Sequence, residues 1–313
     1  MKLKKIATIA FALLFLSIAP LTGLASSAST LPTIRIMFDG SVFPANVPIQ
    51  RNGDVYTFTG NVYGQIVVDR DNIAIDGAGH SLQGTRFLQE TYNGSQEDLW
   101  LIGEGQYQEY NGTVVPWTVG IDMATKTTHN LTVKNLNIKN FSIGIYIWTP
   151  NNTITGCSVS DSIVGILLAG DYNTITNNYI AHNVKGIFFG VTPPENETLN
   201  TVISGNSFVE NDEHFSGCVC EGYNITEPIH TWDSGEEGNY WSDYSGADTD
   251  GNGIGDTPYV IDSQNQDRFP LTQIKATPPT PKTPLEIIIA AIVLPIIIVV
   301  AIVAYRKRRN KAE

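Results

Sequence analysis

Residues 143–189 read IGIYIWTPNNTITGCSVSDSIVGILLAGDYNTITNNYIAHNVKGIFF and repeat at an interval of 21 residues. The pairs Gly144-Ile145, Gly165-Ile166 and Gly186-Ile187 recur at that interval. Three further apolar columns follow it: Val133, Ile154 and Ile175; Ile138, Val159 and Ile180; Ile147, Leu168 and Phe189. A repeat of about 20 to 25 residues, with isolated β-branched residues between Asn, Gly, Ser and Thr, is typical of stacked coils.

Apolar and polar residues alternate within each repeat, as in Thr153-Ile154-Thr155. A period of two indicates strands. We therefore expect an all-β ectodomain, a right-handed parallel β-helix, whose isoleucine columns form a dry core. Asn178 and Asn206 continue a column that begins with Leu136, and we expect them to form a polar ladder that satisfies the turns.

Both ends of the chain carry targeting signals. Three lysines, an apolar run and small residues near Ala25 predict a secretory signal peptide over residues 1–28. The uncharged apolar stretch 287–304 predicts one C-terminal transmembrane helix over residues 286–305. The basic tail 306–313 is then cytoplasmic by the positive-inside rule.

These signals predict a single-pass protein of the cell membrane, with its N-terminal domain extracellular and its C-terminus cytoplasmic. The β-helix, with its cap and an Asp/Gly-rich loop, should occupy residues 30–271. Residues 272–285 are rich in Pro and Thr, which predicts an extended stalk between the β-helix and the membrane.

Charge limits the class of partner. The net charge of the whole chain is −12, and removal of the basic signal peptide and tail leaves the ectodomain near −19 by formal charge. An acidic surface of this size disfavours nucleic acid and anionic lipid as partners. It suits divalent cations or solubility.

The chain contains several Asn-x-Ser/Thr acceptors for N-glycosylation. Those on predicted loops are the glycosylation candidates: Asn93, Asn111, Asn196 and Asn224. Asn130 and Asn151 share one column of the repeat, so the alternative for both is a turn asparagine.

The Asp/Gly-rich loop 248–256 places oxygen-bearing side chains at alternate positions before glycine. Asp248, Asp250, Asn252 and Asp256 would be ligands of a structural calcium ion. The EF-hand pattern needs a Glu at its twelfth position, where this chain has Tyr259. The alternative is an Asp/Gly-rich turn that needs no ion.

Three stretches carry a family resemblance: Ile73–Gly84 (IAIDGAGHSLQG), Gly238–Tyr244 (GNYWSDY) and Asp250–Asp256 (DGNGIGD) followed by Thr-Pro-Tyr. With the repeat between them, the chain resembles the NosD-like right-handed β-helix proteins, particularly the surface-anchored versions found in archaea, and more distantly the pectin-lyase-like fold. The resemblance covers most of residues 34–271. It implies the fold and suggests copper, but it does not fix an activity.

The densest group of soft metal donors is His214, Cys218 and Cys220. The chain has three cysteines and no methionine near this group, so the residues disfavour copper. One of Cys218 and Cys220 in a disulfide is the alternative. Cys157 falls in an apolar column, which indicates a small buried side chain.

Aromatic residues are concentrated in the excursion 87–118, close to several carboxylates. Trp100, Tyr107, Tyr110 and Trp117 are the candidate carbohydrate contacts. The alternative is that these rings cap or cover the solenoid.

The sequence predicts a non-catalytic surface protein that acts in adhesion, envelope structure or carbohydrate binding, with envelope glycans or surface proteins as partners. No residue qualifies as catalytic, since the outer columns show no converging carboxylates of the kind that glycoside hydrolysis needs. The two alternatives are a polysaccharide-modifying enzyme, either a lyase or a glycoside hydrolase, and a NosD-like copper-handling protein.

Overall fold

The computed structural model describes residues 31–85, 107–110, 113–116, 118–123, 128–190, 200–217 and 230–281 of the 313-residue chain. The chain divides into two compact units, Met1–Thr30 and Leu31–Glu313, and every described residue belongs to the second. The predicted signal peptide and transmembrane helix lie outside these ranges. Among the residues within them, no helix is long and apolar enough to cross a membrane.

The strands stack into three sheets because each coil of the chain places equivalent residues above those of the coil before. The first sheet contains, in spatial order, β2 (Val42–Phe43), β1 (Thr33–Ile36), β6 (Gln65–Val68), β11 (Val119–Met123), β14 (Ile143–Ile147), β17 (Val164–Leu168), β20 (Lys185–Phe189) and β23 (Glu213–Gly217). The second contains β21 (Val202–Ser204), β18 (Thr174–Thr176), β15 (Thr153–Thr155), β12 (Thr132–Lys134), β7 (Ala74–Asp76), β4 (Val55–Phe58) and β3 (Ile49–Asn52). The third contains β24 (Tyr240–Trp241), β22 (Ser207–Val209), β19 (Tyr179–Ala181), β16 (Ser158–Ser160), β13 (Asn137–Lys139), β8 (Ser81–Gln83) and β5 (Val62–Tyr63).

Within these sheets the neighbouring strands pair in parallel, except β1 with β2 and β3 with β4 at the N-terminal end. Two separate antiparallel pairs complete the described strands: β9 (Tyr107–Tyr110) with β10 (Thr113–Pro116), and β25 (Tyr259–Val260) with β26 (Gln266–Asp267). The architecture is therefore an all-β parallel β-helix. Its right-handed sense stays a prediction, which agrees with the handedness of parallel crossovers in general.

The strand register confirms the 21-residue columns. Ile145 pairs with Ile166, which pairs with Ile187, and the columns of the other two sheets pair in the same way. After a 28-residue coil, Phe208 continues from Ile180. These inward side chains are buried in one continuous apolar core.

The coils bend at three corners, and at most of those in the middle of the β-helix one residue adopts positive φ. The first corner column is Asn72, Asn130, Asn151 and Tyr172; the second is Asn135, Gly156, Asn177 and Gly205; the third is Asn140, Asp161, His182 and Glu210. Asn and Gly tolerate the left-handed conformation better than other residues, which explains their frequency here. Asn130 and Asn151 are thus turn residues of one column.

The residue after the second corner points into the coil, and in the later coils it is an asparagine. The backbone amide of Asn178 donates to Oδ1 of Asn206 at 2.9 Å, and the amide of Asn206 donates to Oδ1 of Asn239 at 3.0 Å. Each side-chain amide also donates to a carbonyl of an earlier coil; Nδ2 of Asn206 reaches the carbonyl of Ile175 at 2.8 Å. The predicted asparagine ladder is confirmed and extends one coil further.

The other two corners carry ladders of the same kind. At the first corner, Asn152 accepts from the amide of Leu131 and donates its own amide to Asn173, at 2.9 and 2.8 Å. At the third, the amide of Asn183 donates to Oδ1 of Asn211 at 3.0 Å. Corner amides that the sheets cannot pair are satisfied in this way inside the coil.

The C-terminal cap closes the open end of the core. Trp241 stacks on Phe208 with ring centroids 4.4 Å apart, and Tyr259 stacks on the other face of Trp241 at 4.4 Å. The buried carboxylate of Asp267 ends the second ladder, because it accepts from the amide of Asn239 at 2.6 Å and from Nε1 of Trp241 at 2.9 Å. The cap thus continues the β-helix and seals it.

The described part of the predicted stalk, residues 272–281, lies against the β-helix and does not stand clear of it. Nδ2 of Asn137 donates to the carbonyl of Pro279 at 2.8 Å, and the amide of Ala276 donates to Oγ of Ser207 at 3.0 Å. A Pro-rich segment has no core of its own, and here side chains of the coils hold its backbone groups.

Replacement of Asn206 by Ala should lower the free energy of unfolding by about 2–4 kcal/mol, because the buried amide of Asn178 loses its acceptor and a cavity remains. Urea unfolding followed by tryptophan fluorescence measures this loss. The matched control is Asn200→Ala at an exposed position of the same coil. Equal stability of the two variants would contradict a structural role of the ladder.

Arg268→Gln should destabilise the cap at neutral pH and much less in acid. Burial tends to raise the pKa of Asp233, but hydrogen bonds from Arg268 and from backbone amides outweigh it and hold that pKa below its ordinary 3.8. Ionised Asp233 therefore stabilises the fold above about pH 3.8, and this contribution is lost as the pH falls through the lowered pKa.

Urea midpoints of wild type and Arg268→Gln at pH 7, 5 and 3 test this expectation. The difference between the two proteins should narrow towards pH 3. Arg35→Gln, which removes the exposed pair with Asp69, is the control and should change little. A difference that stays constant with pH would show that the pair does not depend on the charge of Asp233.

Candidate functional site

A cleft of about 320 Å³ opens at the C-terminal end of the β-helix, between the last coil and the cap. Strand β23 and the corner before it form one wall, and the residues around β24 and β25 form the other. The lining residues are Asn211, Asp212, Glu213, His214, Phe215, Trp241, Ser242, Asp243, Tyr259, Val260 and Ile261.

His214 lies at the base of this cleft because of its place in the repeat. Lys185 pairs with Glu213 and Ile187 with Phe215, so His214 stands beside Gly186 and ends the glycine column of the earlier coils. In those coils the glycines leave room for inward side chains of the corner. At the last coil the histidine ring occupies this position.

Three polar neighbours hold the imidazole of His214, which is 7% exposed. Nδ1 lies 3.3 Å from Nδ2 of Asn211, while Nε2 lies 3.2 Å from Oγ of Ser242 and 3.2 Å from Oδ1 of Asp243. The amide of Asn211 can only donate, so Nδ1 accepts and Nε2 carries the proton. Burial lowers the pKa of His214, and the nearby carboxylate of Asp243 offsets this effect only in part. The neutral ring is therefore favoured.

Asp243 presents a carboxylate to solvent on one wall of the cleft. Its side chain is 60% exposed, and its two oxygens contact Nε2 of His214 and the hydroxyl of Tyr259, the latter at 3.1 Å. Burial raises the pKa of Tyr259, so this hydroxyl remains a donor. Stacking on Trp241 fixes the Tyr259 ring, and Asp243 is therefore held from both sides on a rigid wall.

This arrangement is suited to binding polar groups. Asp212 and Asp243 offer exposed acceptors, and Tyr259, Val260 and Ile261 offer apolar contact area beside them. Both ring nitrogens of His214 are engaged with protein groups. The cleft can therefore hold hydroxyl groups of a ligand.

Sequence reasoning did not identify this cleft. It weighed His214 as a soft metal ligand and noted the columns of Gly144, Gly165 and Gly186 without following them to His214, 28 residues further. The sequence contains a signal for it, because the glycine column continues to position 214. There a bulky polar residue takes the place of glycine and marks the last coil.

The calcium candidates lie together in the exposed loop between β24 and β25. Asp248 accepts from the backbone amides of Asn252 and Gly253 at 3.0 and 2.9 Å, and Asp256 accepts from the amide of Thr249 at 3.0 Å. The loop is therefore closed by its own carboxylates. Asp250 also accepts from the amide of Asn252 at 3.1 Å.

The soft donors do not assemble in the described part of the chain. Cys157 is a buried free thiol whose pKa burial raises to about 12, and Met123 is buried in the core. Cys218 and Cys220 lie outside the described residues. Among the residues within them, no three His, Cys, Asp or Glu side chains form a group that could hold a metal ion.

The other candidates fall largely outside the described residues. Trp100 and Trp117 lie there, and so do the glycosylation candidates Asn93, Asn111, Asn196 and Asn224. Tyr107 and Tyr110 begin and end strand β9, which pairs with β10. Carbohydrate contact by these aromatic residues stays a prediction.

No curated protein matches the chain. Residues 52–246 match the family described as periplasmic copper-binding protein (NosD). The described soft donors do not fit a copper site, whereas the periplasmic description agrees with a β-helix that lies outside the cytoplasm. Since the match covers more than half of the 313 residues, the chain belongs to the NosD family.

Proposed function

We propose that this chain is a non-catalytic β-helix protein of the cell surface, anchored by its C-terminal segment, which binds envelope carbohydrate in the cleft at the end of the coils. The exposed carboxylate of Asp243, held between His214 and Tyr259 beside apolar side chains, is the observation that carries the proposal. Carboxylates accept hydrogen bonds from sugar hydroxyls, and flat apolar walls match the faces of sugar rings.

Charge narrows the ligand to neutral glycans. Residues 207–281 contain two basic residues, Arg268 and Lys275. They contain fourteen acidic ones: Glu210, Asp212, Glu213, Glu221, Glu227, Asp233, Glu236, Glu237, Asp243, Asp248, Asp250, Asp256, Asp262 and Asp267. A polymer of uronic acids or sulfated sugars would be repelled by this end of the protein. Uncharged hexoses are not.

Membrane anchorage is supported by the sequence of the C-terminal segment. The apolar residues 287–304 are long enough for a helix that spans a bilayer, and the following basic residues favour a cytoplasmic tail. The periplasmic description of the family agrees with export of the β-helix.

The family description makes copper handling the second candidate. Its donors would have to include Cys218 and Cys220, because the described soft donors are buried or stand apart. A polysaccharide-modifying enzyme is the third candidate, and the carboxylates of Asp212, Glu213 and Asp243 in the cleft are the groups that glycoside hydrolysis would use.

Asp243→Asn should weaken glycan binding about 10- to 100-fold, since a hydrogen bond to a charged group contributes about 1.5–3 kcal/mol. The full chain in nanodiscs is first applied to an array of neutral and acidic glycans, and the affinity for the best neutral ligand is then measured for each variant. Glu236→Gln, an exposed change outside the cleft, is the control.

The proposal is wrong if no neutral glycan binds to the protein. It is also wrong if the wild type, Asp243→Asn and Glu236→Gln all bind the best neutral glycan equally tightly. Selective retention of acidic glycans would also contradict the charge argument.

We also propose a structural calcium ion at the loop 248–256. No three carboxylates of this loop, which the structure describes throughout, are grouped for a metal ion as they stand, so Asn252 and backbone carbonyl oxygens would complete the ligand set. A carboxylate oxygen that accepts an amide proton keeps a second lone pair for a cation. With the weak affinity usual for extracellular sites, 10 mM calcium (about 10 to 100 times Kd) should stabilise the fold by about 1.4–2.7 kcal/mol. Asp248→Asn combined with Asp250→Asn should abolish the rise in melting temperature.

Magnesium and the Glu236→Gln variant are the controls for calcium. An equal rise in the double variant would place any calcium elsewhere. Copper is added in a parallel series: a rise that depends on Cys218 and Cys220, shown by replacing both with Ser, would favour the copper-handling candidate instead.

A further inference from the structure

The C-terminal segment runs back along the outside of the β-helix. After Leu271, Oγ of Ser207 accepts from the amides of Lys275 and Ala276 at 3.3 and 3.0 Å, and Asn137 donates to the carbonyl of Pro279. Ser207 and Asn137 are equivalent positions in β22 and β13 of the third sheet, three coils apart. The segment therefore crosses about 14 Å of the solenoid towards its N-terminal end.

Gly79 marks where this segment arrives. It lies in the turn before β8, with φ of +84°, and a Cβ at this position would overlap the backbone of Thr280. The first coils are thus shaped to receive the segment. Pro281, the last described residue, follows immediately.

The predicted membrane span begins close to this point. Residues 282–286 can extend over at most about 17 Å. Only two further strands, β4 and β3, lie between the turn of Gly79 and the N-terminal edge of the second sheet, a distance of about 10 Å. The described chain therefore ends beside the N-terminal coils, opposite the cleft, and residues 282–286 are long enough to reach the N-terminal edge.

That N-terminal end exposes large aromatic side chains. Phe38, in the turn between β1 and β2, is 78% exposed, and Phe43 in β2 is 66% exposed. Tyr63 in β5, at the end of the third sheet, is 52% exposed. Exposed aromatic residues close to a membrane span are suited to the interface between lipid headgroups and acyl chains.

Charge separates the two ends of the molecule. The N-terminal coils, residues 31–85, contain five acidic residues, Asp39, Asp54, Asp69, Asp71 and Asp76, and three basic ones, Arg35, Arg51 and Arg70. The C-terminal residues 207–281 are strongly acidic, as counted above. The net charge that disfavours anionic lipid for the whole ectodomain is thus carried mainly by the end with the cleft.

We propose that the N-terminal end of the β-helix docks on the bilayer that its own C-terminal helix spans, with Phe38 and Phe43 at the level of the headgroups. The inference rests on the membrane anchorage proposed above and adds its orientation. The packed segment 272–281 then acts as a strap that holds the coils against the membrane, and the cleft faces away from it.

Photo-crosslinking in nanodiscs of phosphatidylcholine tests this orientation. The full-length protein carries p-benzoylphenylalanine in place of Phe38, Phe43, Tyr172 or Val260, one position in each variant. Tyr172 and Val260 are exposed positions in the middle and at the cleft end. Ultraviolet light should attach lipid to positions 38 and 43 at least about tenfold more than to 172 and 260, since only the former reach the headgroup region and its boundary with the acyl chains.

At positions 38, 43 and 172 the replacement keeps an exposed aromatic ring, and no position needs a change of cysteine. The circular dichroism of each variant confirms its fold. The orientation would be overturned if positions 38 and 43 attach no lipid, or no more than position 260 does, in protein that remains in the nanodisc through a carbonate wash. Release of the wild-type protein by that wash would instead refute the membrane anchorage itself.

Discussion

The corner of each coil is the feature on which the structure depends. At most described corners of the middle coils one residue takes positive φ, and the next residue points inward, where its backbone amide has no partner in a sheet. Early coils place Leu131, Leu136 and Phe141 at these inward positions, whereas most of the later ones carry asparagine and the first corner of the 28-residue coil carries Thr201. An asparagine accepts from the corner amide of the coil before it, and its own backbone amide donates to the asparagine of the next coil, so these corner amides are paired from coil to coil.

A ladder of this kind must end, and its ends account for the polar chemistry of the C-terminal part. At the second corner the buried carboxylate of Asp267 terminates the ladder, because a carboxylate only accepts hydrogen bonds. Burial raises the pKa of Asp267, and its four donors oppose that effect. At the third corner the side-chain amide of Asn211, the last of its ladder, donates to Nδ1 of His214, and Nε2 of His214 contacts Asp243. The cleft is therefore the solvent-facing end of a ladder that begins inside the coils.

The repeat could be predicted from the sequence because its columns keep a constant spacing of 21 residues and place one residue type at each position. The columns, the buried Cys157, the long coil that ends at Phe208 and the ladder through Asn206 all followed from that spacing. The cleft could not be predicted in the same way, since it needs Asp243 and Tyr259, which lie beyond the last repeat, beside His214. The course of residues 272–281 was also hidden. A Pro/Thr-rich sequence is extended whether it is free or bound, and its contacts with Asn137 and Gly79 involve residues that no local pattern connects.

The two ends of the solenoid differ because only the C-terminal end has hydrogen-bond ladders that must be terminated. The C-terminal end closes its ladders with carboxylates and rings, and this makes it acidic and polar. The N-terminal end has no ladder to close, since its inward corner residues are apolar, and it turns aromatic side chains outward. Seven parallel strands of the first sheet, from β1 to β23, separate the ends by about 29 Å. Because each coil contacts only its neighbours, this distance depends on the number of coils alone. A β-helix strapped to a membrane at one end can therefore present its cleft at a height set by the repeat, with neither end altered.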